Sequence, residues 1–294
     1  MPASHHPADM AERAGRMAGG GTDEGAPMSR LQPLPRIMVA PNGARRSKTD
    51  HPALPVTPGE IVATARACHA TGADALHAHL RDDAGRHLLD AGAYRELIAE
   101  MARAVPDMPL QITTEAGGRY GPTEQRALLA ALTPEGASAA LREIMADGDR
   151  AAARRFYHRA AEAGVPVQHI LYEPAEIAWL ADEISAGTIP ATGLQLLFVL
   201  GRYAGGPPSD PAALQAWLDA LAAHRLAGAD WALCAFGQAE TACLKAALAA
   251  GGKARVGFEN SFFNADGSLA RDNAERVAEI AALLPGPRLG NAGP

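Results

Sequence analysis

In the stretch A-D-A-L-H-A-H-L-R-D at 73–82, His77 and His79 stand two residues apart where an apolar run ends. If that run is a strand, both imidazoles point to one face. Each then offers a nitrogen lone pair at a separation the backbone fixes, which is half of a metal site. The same spacing also describes two partly exposed histidines at a strand end, so a third ligand must come from elsewhere. Six cations, Arg45, Arg46, Lys48, Arg119, Arg202 and Arg255, also fall near the ends of apolar runs. Singly each reads as a solvated rim residue. As a group they suit an anion, because a guanidinium binds a carboxylate through two parallel hydrogen bonds. Glycines at 117, 118, 205 and 206 would let the backbone approach a ligand closely. No glycine-rich dinucleotide fingerprint follows the first apolar run, and no phosphate-loop lysine motif is found, which disfavours nicotinamide and nucleotide chemistry.

From residue 36 onward the chain alternates short apolar runs with longer amphipathic segments. The runs are 37–40, 73–79, 110–114, 136–140, 165–171, 193–200, 231–236 and 254–258. Helical segments are expected to begin near Pro58, Ala91, Thr123, Asp149, Pro174, Asp210, Gln238 and Arg271. Thr57-Pro58-Gly59-Glu60 places a capping hydroxyl before a proline with an acid in the first turn, and Ser209-Asp210-Pro211 repeats the device. Gly72, Gly164, Gly228 and Gly252 follow helix-like stretches as helix terminators should. Eight strand-then-helix units in about 250 residues are what a parallel (β/α)8 TIM barrel requires. A doubly wound open sheet has a similar element count, and pairing of the first strand with the eighth would separate the two.

On a barrel the strand-to-helix loops build the active face. The eighth, first and second strands are then neighbours, which brings Glu259 towards His77 and His79. Two histidines and a glutamate with an open position are the arrangement of a catalytic zinc. His169, inside the fifth run, reads either as a further ligand or as a packed core residue. His87, His158 and His224 read as structural or exposed, and Trp179, Trp217 and Trp231 as fillers of the barrel's shell.

The whole chain sets bounds on partners. It has 294 residues, 48% hydrophobic and 20% charged, an ordinary globular balance. A net charge of -6 disfavours nucleic acid or anionic membrane as a partner, and no apolar run approaches the ~20 residues of a membrane span. Cys68, Cys234 and Cys243 form no close pair and no disulfide framework, so reduced thiols and a cytoplasmic location are expected. Residues 1–35, rich in Gly, Pro, Ala and Met and holding His5 and His6, are expected to be a disordered extension, and 36–294 a single catalytic domain.

Four segments together resemble a known family: N-G-A-R-R-S-K-T-D-H-P-A-L-P-V-T at 42–57, H-A-H-L-R-D-D-A-G-R-H at 77–87, T-T-E-A-G-G at 113–118 and R-V-G-F-E-N at 255–260. Over 36–284 the chain resembles the β-keto acid cleavage enzymes, whose founding activity is 3-keto-5-aminohexanoate cleavage. The resemblance implies a TIM barrel, a homotetramer, and a divalent metal, commonly zinc, on His77, His79 and Glu259. It also implies a Claisen-type exchange of a 3-keto acid with acetyl-CoA, giving acetoacetate and a CoA ester. The metal would stabilise the developing enolate while a base removes a C2 proton.

The pattern departs from the founding enzyme in two places. There an aspartate follows the metal glutamate and pairs with an arginine five residues before it. Here Arg255 keeps the arginine but the next position holds Asn260, which accepts no proton at neutral pH. Glu115 is the expected replacement base, and Thr113 with the adjacent Thr114 the expected substrate-binding hydroxyls. The founding enzyme's first-loop glutamate, which faces a substrate ammonium, is replaced by Arg45. A cation there should reject amines and favour a neutral or anionic tail, such as a second carboxylate. The rival readings are a metal-dependent hydrolase on the same barrel and a catalytically inactive metal-binding homologue.

Overall fold

The computed structural model describes residues 29–202 and 208–285. The expected extension over 1–28, with His5 and His6, and the positions of Tyr203, Gly205 and Gly206 lie outside the described residues. Strands and helices alternate in the order β1 Ile37–Val39, α1 Pro58–Ala70, β2 Ala75–Ala78, β3 Leu80–Arg81, β4 His87–Leu88, α2 Ala91–Ala104 and β5 Leu110–Thr113. There follow α3 Pro122–Ala131, β6 Gly136–Ala140, α4 Leu141–Ile144, α5 Arg150–Glu162, β7 Val167–Leu171, α6 Glu176–Ser185 and β8 Gln195–Leu200. The series ends with α7 Leu214–Ala223, β9 Asp230–Ala235, α8 Glu240–Ala249, β10 Lys253–Val256 and α9 Asn273–Ala281.

Met38 in β1 lies opposite Ala75 of β2 on one side and Arg255 of β10 on the other, all parallel. First and last strands therefore pair, and the sheet closes as β1-β10-β9-β8-β7-β6-β5-β2. The open-sheet alternative is ruled out. Strand alternation sorts the side chains into two layers. Ile37, Val39, Leu76, Ile112, Leu196, Phe198 and Leu233 point outward and are buried under the helices. Phe198 stacks on Trp217 of α7 and Trp231 of β9 at centroid distances of 4.6 and 5.3 Å, and Trp179 of α6 packs half-buried against the same core, so all three tryptophans fill the shell. His169 also faces outward, its ring 5.1 Å from that of Tyr157 on α5. It is a packed shell residue and not a ligand.

The barrel interior is closed from below by residues assigned in sequence to the extension. Leu31 shares a buried cluster with Met38 and Ala75, and Leu34 joins the interior cluster that includes Leu197 and Ala232, its amide donating to Asp230 Oδ2 at the start of β9. The Ser29 hydroxyl donates to the Glu135 carbonyl, and Arg30 Nε donates to the Glu135 carboxylate at 2.6 Å. The packed domain thus begins by residue 29 instead of 36. The apolar spacing L-x-x-L within a proline-rich context hid a plug that needs no periodic element.

Helix starts follow local chemistry. Thr57 and Glu60 form a complete capping box with Pro58 in the first turn, and Asp149 caps α5 through the Ala152 amide. Past β2 the chain folds into a two-stranded antiparallel ribbon, β3 with β4, too short to leave a period in the sequence. Among the described residues no helix is long and apolar enough to cross a membrane, and the three cysteines are free and buried.

Candidate active site

His77 is in β2 and His79 immediately follows it, and both side chains project into the upper barrel. Glu259 follows β10. Gly257 makes that position reachable: its φ is +139°, and a Cβ there would lie 2.5 Å from the Ala40 carbonyl oxygen at the end of β1. The three side chains converge, with His77 Nε2 3.1 Å from His79 Nε2 and Glu259 Oε2 3.7 and 3.5 Å from those two nitrogens. Donors ~2.0–2.1 Å from a tetrahedral ion stand about 3.3 Å apart, so this spacing suits one ion. Glu259 Oε2 is buried and has no hydrogen-bond partner among the described residues, while Oε1 accepts from Arg255 Nη2 at 2.6 Å. Burial, reinforced at His77 by the Arg255 charge, holds both imidazoles well below the usual histidine range. Two neutral nitrogen donors and one unpartnered carboxylate oxygen fit a divalent cation.

Neighbouring residues orient the members of the trio. His77 Nδ1 lies 2.9 Å from Gln111 Oε1 on β5, and Gln111 Nε2 donates to Gln168 Oε1 of β7 at 3.1 Å. With Nδ1 as the donor, Nε2 keeps its lone pair for an ion. Asn42 donates through Nδ2 to the His79 carbonyl at 2.9 Å, pinning the backbone of the second histidine. Arg46 donates through Nη1 and Nη2 to the carbonyls of Phe258 and Asn260, both at 3.1 Å, and lies 4.1 Å over the Phe262 ring. Asn273 Oδ1 accepts from the Phe258 amide at 2.8 Å. The Asn42–Arg46 loop therefore grips the backbone on both sides of the barrel seam.

The trio opens into a cavity of about 380 Å³ lined by Arg45, Thr113, Glu115, Arg142, Glu143, Ile170, Tyr172, Val199, Gly201, Arg202, Cys234, Phe236 and Arg255 as well as the trio itself. Glu115 Oε2 stands 3.7 Å from His79 Nδ1. Burial first, then the Glu259 and Glu143 carboxylates, push its carboxyl up to about 8. A bound cation beside it would draw that value back down. Its loop is held by the ribbon: His87 Nε2 lies 2.8 Å from the Glu115 carbonyl, and a Cβ on Gly117 would meet His87 Cδ2 at 2.6 Å.

Not every expected residue reaches the cavity. Thr114 donates its hydroxyl to the Ser138 carbonyl at 3.0 Å, and neither it nor Asn260 lines the cavity. The Asn260 side-chain carboxamide is buried without a partner among the described residues. Of the six cations grouped in sequence, Arg45, Arg202 and Arg255 line the cavity. Arg46 braces a turn, Lys48 pairs with Glu60 at 2.8 Å, and Arg119 bonds the His87 carbonyl and Asp82.

The sequence model of the beta-keto acid cleavage enzyme family matches residues 36–286. The chain belongs to that family. As a beta-keto acid cleavage enzyme it breaks a carbon–carbon bond. Its relatives include the 3-keto-5-aminohexanoate cleavage enzyme of Fusobacterium nucleatum, 27% identical over 84% of this chain and 90% of that protein. The 3-oxoadipate:acetyl-CoA acetyltransferase of Cupriavidus necator is also 27% identical, over 84% and 87%. The 3,5-dioxohexanoate:acetyl-CoA acetone transferase of Paraburkholderia graminis is 26% identical over 88% and 92%. Among solved structures, ObcA with oxaloacetate superposes with a TM-score of 0.60 at 16% identity, over 79% of this chain and 63% of that one. At such identity the likeness shows the barrel alone. In this family member, sequence reasoning missed Gln111, Arg142, Glu143 and Tyr172 as parts of the site. Gln111 carried a usable signal, a polar residue two positions before Thr113 on the inward face of a strand.

Proposed function

We propose that the chain catalyses a metal-dependent exchange in which a 3-keto acid and acetyl-CoA give acetoacetate and the CoA ester of the remaining acyl group. The observation that carries the reading is the convergence of His77, His79 and Glu259 at the base of a cavity walled by Glu115, Arg45 and Arg255. His77, His79 and Glu259 would hold the ion, which we assign as zinc from the two-histidine, one-carboxylate donor set. When bound, it supplies Lewis-acid polarisation of the keto oxygen.

The chain's own residues supply the rest. Glu115, facing the cavity beside His79, accepts the C2 proton, since Asn260 offers no basic group and lies off the cavity. The C2 carbon then bonds to the acetyl carbonyl carbon, the acetyl–sulfur bond breaks, and the released CoA thiolate takes the original acyl carbon as the C2–C3 bond breaks, the electron pair left on C2 taking the proton back from Glu115. Acetoacetate leaves with the former C1 and C2. Arg255 keeps Glu259 aimed at the histidines through its 2.6 Å contact. Thr113, whose Oγ accepts from the Glu115 amide at 3.0 Å, places a hydroxyl in the cavity for the substrate carboxylate. Arg45 on the same wall favours a neutral or anionic tail over an amine. The outward His169 removes the additional histidine that a hydrolase reading would use.

The deciding experiment is metal analysis of the purified protein combined with turnover of a panel of 3-keto acids, with and without acetyl-CoA. One divalent ion per chain and acetoacetate formation that requires acetyl-CoA support the reading. Turnover without CoA, or none by the metal-loaded protein, refutes it. A homotetramer in the cytoplasm belongs to the same proposal, and light scattering checks the assembly.

A further inference from the structure

Across the barrel mouth from the metal ligands, the ends of β6, β7 and β8 contribute Arg142, Tyr172 and Arg202 to the cavity wall. The same cavity is lined by the apolar side chains Ile170, Val199 and Phe236. Arg142 is held on two sides. Its Nε donates to Glu176 Oε1 at 2.8 Å, and its guanidinium lies 4.5 Å over the Tyr172 ring. Glu176 is itself a fixed, buried group whose other oxygen accepts from the Tyr172 and Glu173 amides.

Glu173 differs from Glu176. Its side chain is 56% exposed, and Oε1 is 2.9 Å from Arg202 Nη2 and 3.7 Å from Arg142 Nη2. One carboxylate oxygen thus stands between two arginines at the rim, with no backbone amide recorded on it among the described residues. An ion pair this exposed contributes little stability. Another carboxylate could exchange for it at small cost, and two guanidiniums offer that newcomer charge-assisted, directional bonds.

We propose that Arg142 and Arg202 form an anion subsite for the far end of the reactants, which the Glu173 carboxylate occupies in the ligand-free protein and vacates on binding. The proposal rests on the reading of the cavity as a 3-keto acid site. The apolar lining of Ile170, Val199 and Phe236 suits a methylene chain, so the anion the subsite fits best is the terminal carboxylate of a 3-keto dicarboxylic acid. A phosphate of CoA presents the same chemistry and is the other possible source.

Binding calorimetry on the metal-loaded full chain tests this without needing turnover. The probes are adipate, hexanoate and CoA, and the variants Arg142→Gln, Arg202→Gln and Glu173→Gln, each checked for an unchanged unfolding midpoint. Arg142→Lys serves as a second variant should Arg142→Gln fail to fold. Adipate should bind about tenfold or more weakly to the arginine variants, the loss of a charge-assisted bond. It should bind several-fold more tightly to Glu173→Gln, because the internal competitor is gone, while hexanoate affinity stays level. The same opposed pattern seen with CoA instead of adipate assigns the subsite to a phosphate. Equal weakening by all three substitutions, or no tightening in Glu173→Gln, overturns the proposal. The expected adipate pattern in a protein that turns over no keto acid would sink the reaction assigned above and leave the subsite standing.

Discussion

Replacing Gln111 with methionine isolates what orients the first histidine. The substitution keeps an unbranched side chain of similar volume inside the barrel but deletes both polar atoms. His77 Nδ1 loses its 2.9 Å partner, and Gln168 Oε1 loses its 3.1 Å donor. Each orphaned buried group costs about 1–3 kcal/mol, so the metal-free protein should lose roughly 2–6 kcal/mol of unfolding free energy. A second loss should appear only with metal. Removing a partner that fixes a ligating histidine weakens metal binding by about 10–100-fold, or roughly 1.4–2.7 kcal/mol. Denaturant unfolding of the stripped protein reads the first quantity, and competition with a calibrated chelator reads the second. A stripped protein weakened as expected, with metal affinity unchanged, would refute the orienting role and leave Gln111 as a core residue alone.

Glu115→Gln should lower kcat by about 10²–10⁴-fold while the bound-metal content stays at the wild-type level; full turnover would remove Glu115 as the base. Arg45→Glu should shift kcat/KM towards an amino-substituted 3-keto acid, and no shift means that Arg45 does not read the tail. Burial depresses the His169 pKa from 6.5 to about 4. Between those values the unfolded chain binds more protons, so stability should be full above pH 6.5 and fall as pH drops towards 4, by up to roughly 3 kcal/mol. His169→Phe should flatten that acid limb in thermal unfolding measured across pH 4–7, and an unchanged limb would assign it elsewhere.

Much of the architecture was legible because eight apolar runs had to become eight strands buried on both sides. The weakest of them, G-A-S-A-A at 136–140, reads as barely apolar because small residues there face both the barrel interior and the helices. His77, His79 and Glu259 were legible because closure makes the second, first and last strands adjacent. What stayed hidden has one physical cause. A residue's type does not name its partner: Arg46 binds two backbone carbonyls, Lys48 a helix-capping glutamate, and Thr114 the Ser138 carbonyl. Residues 29–35 were hidden for a related reason, since a plug buries two leucines without regular structure.

The metal trio straddles the seam at which the last strand meets the first. Glu259 lies about 180 positions after His79, so an ion held by both behaves as a clasp across nearly the whole domain. The entropy of bringing such distant segments together rises with the length between them, and β10 is laid down last. If the trio holds the proposed ion, metal binding and barrel closure are two views of one equilibrium, and the ion stabilises the closed form by mass action. Stripping the ion should lower the unfolding midpoint and loosen β10 first. Hydrogen exchange localised to β10 and its two neighbouring strands would reveal this, and uniform loosening would contradict it.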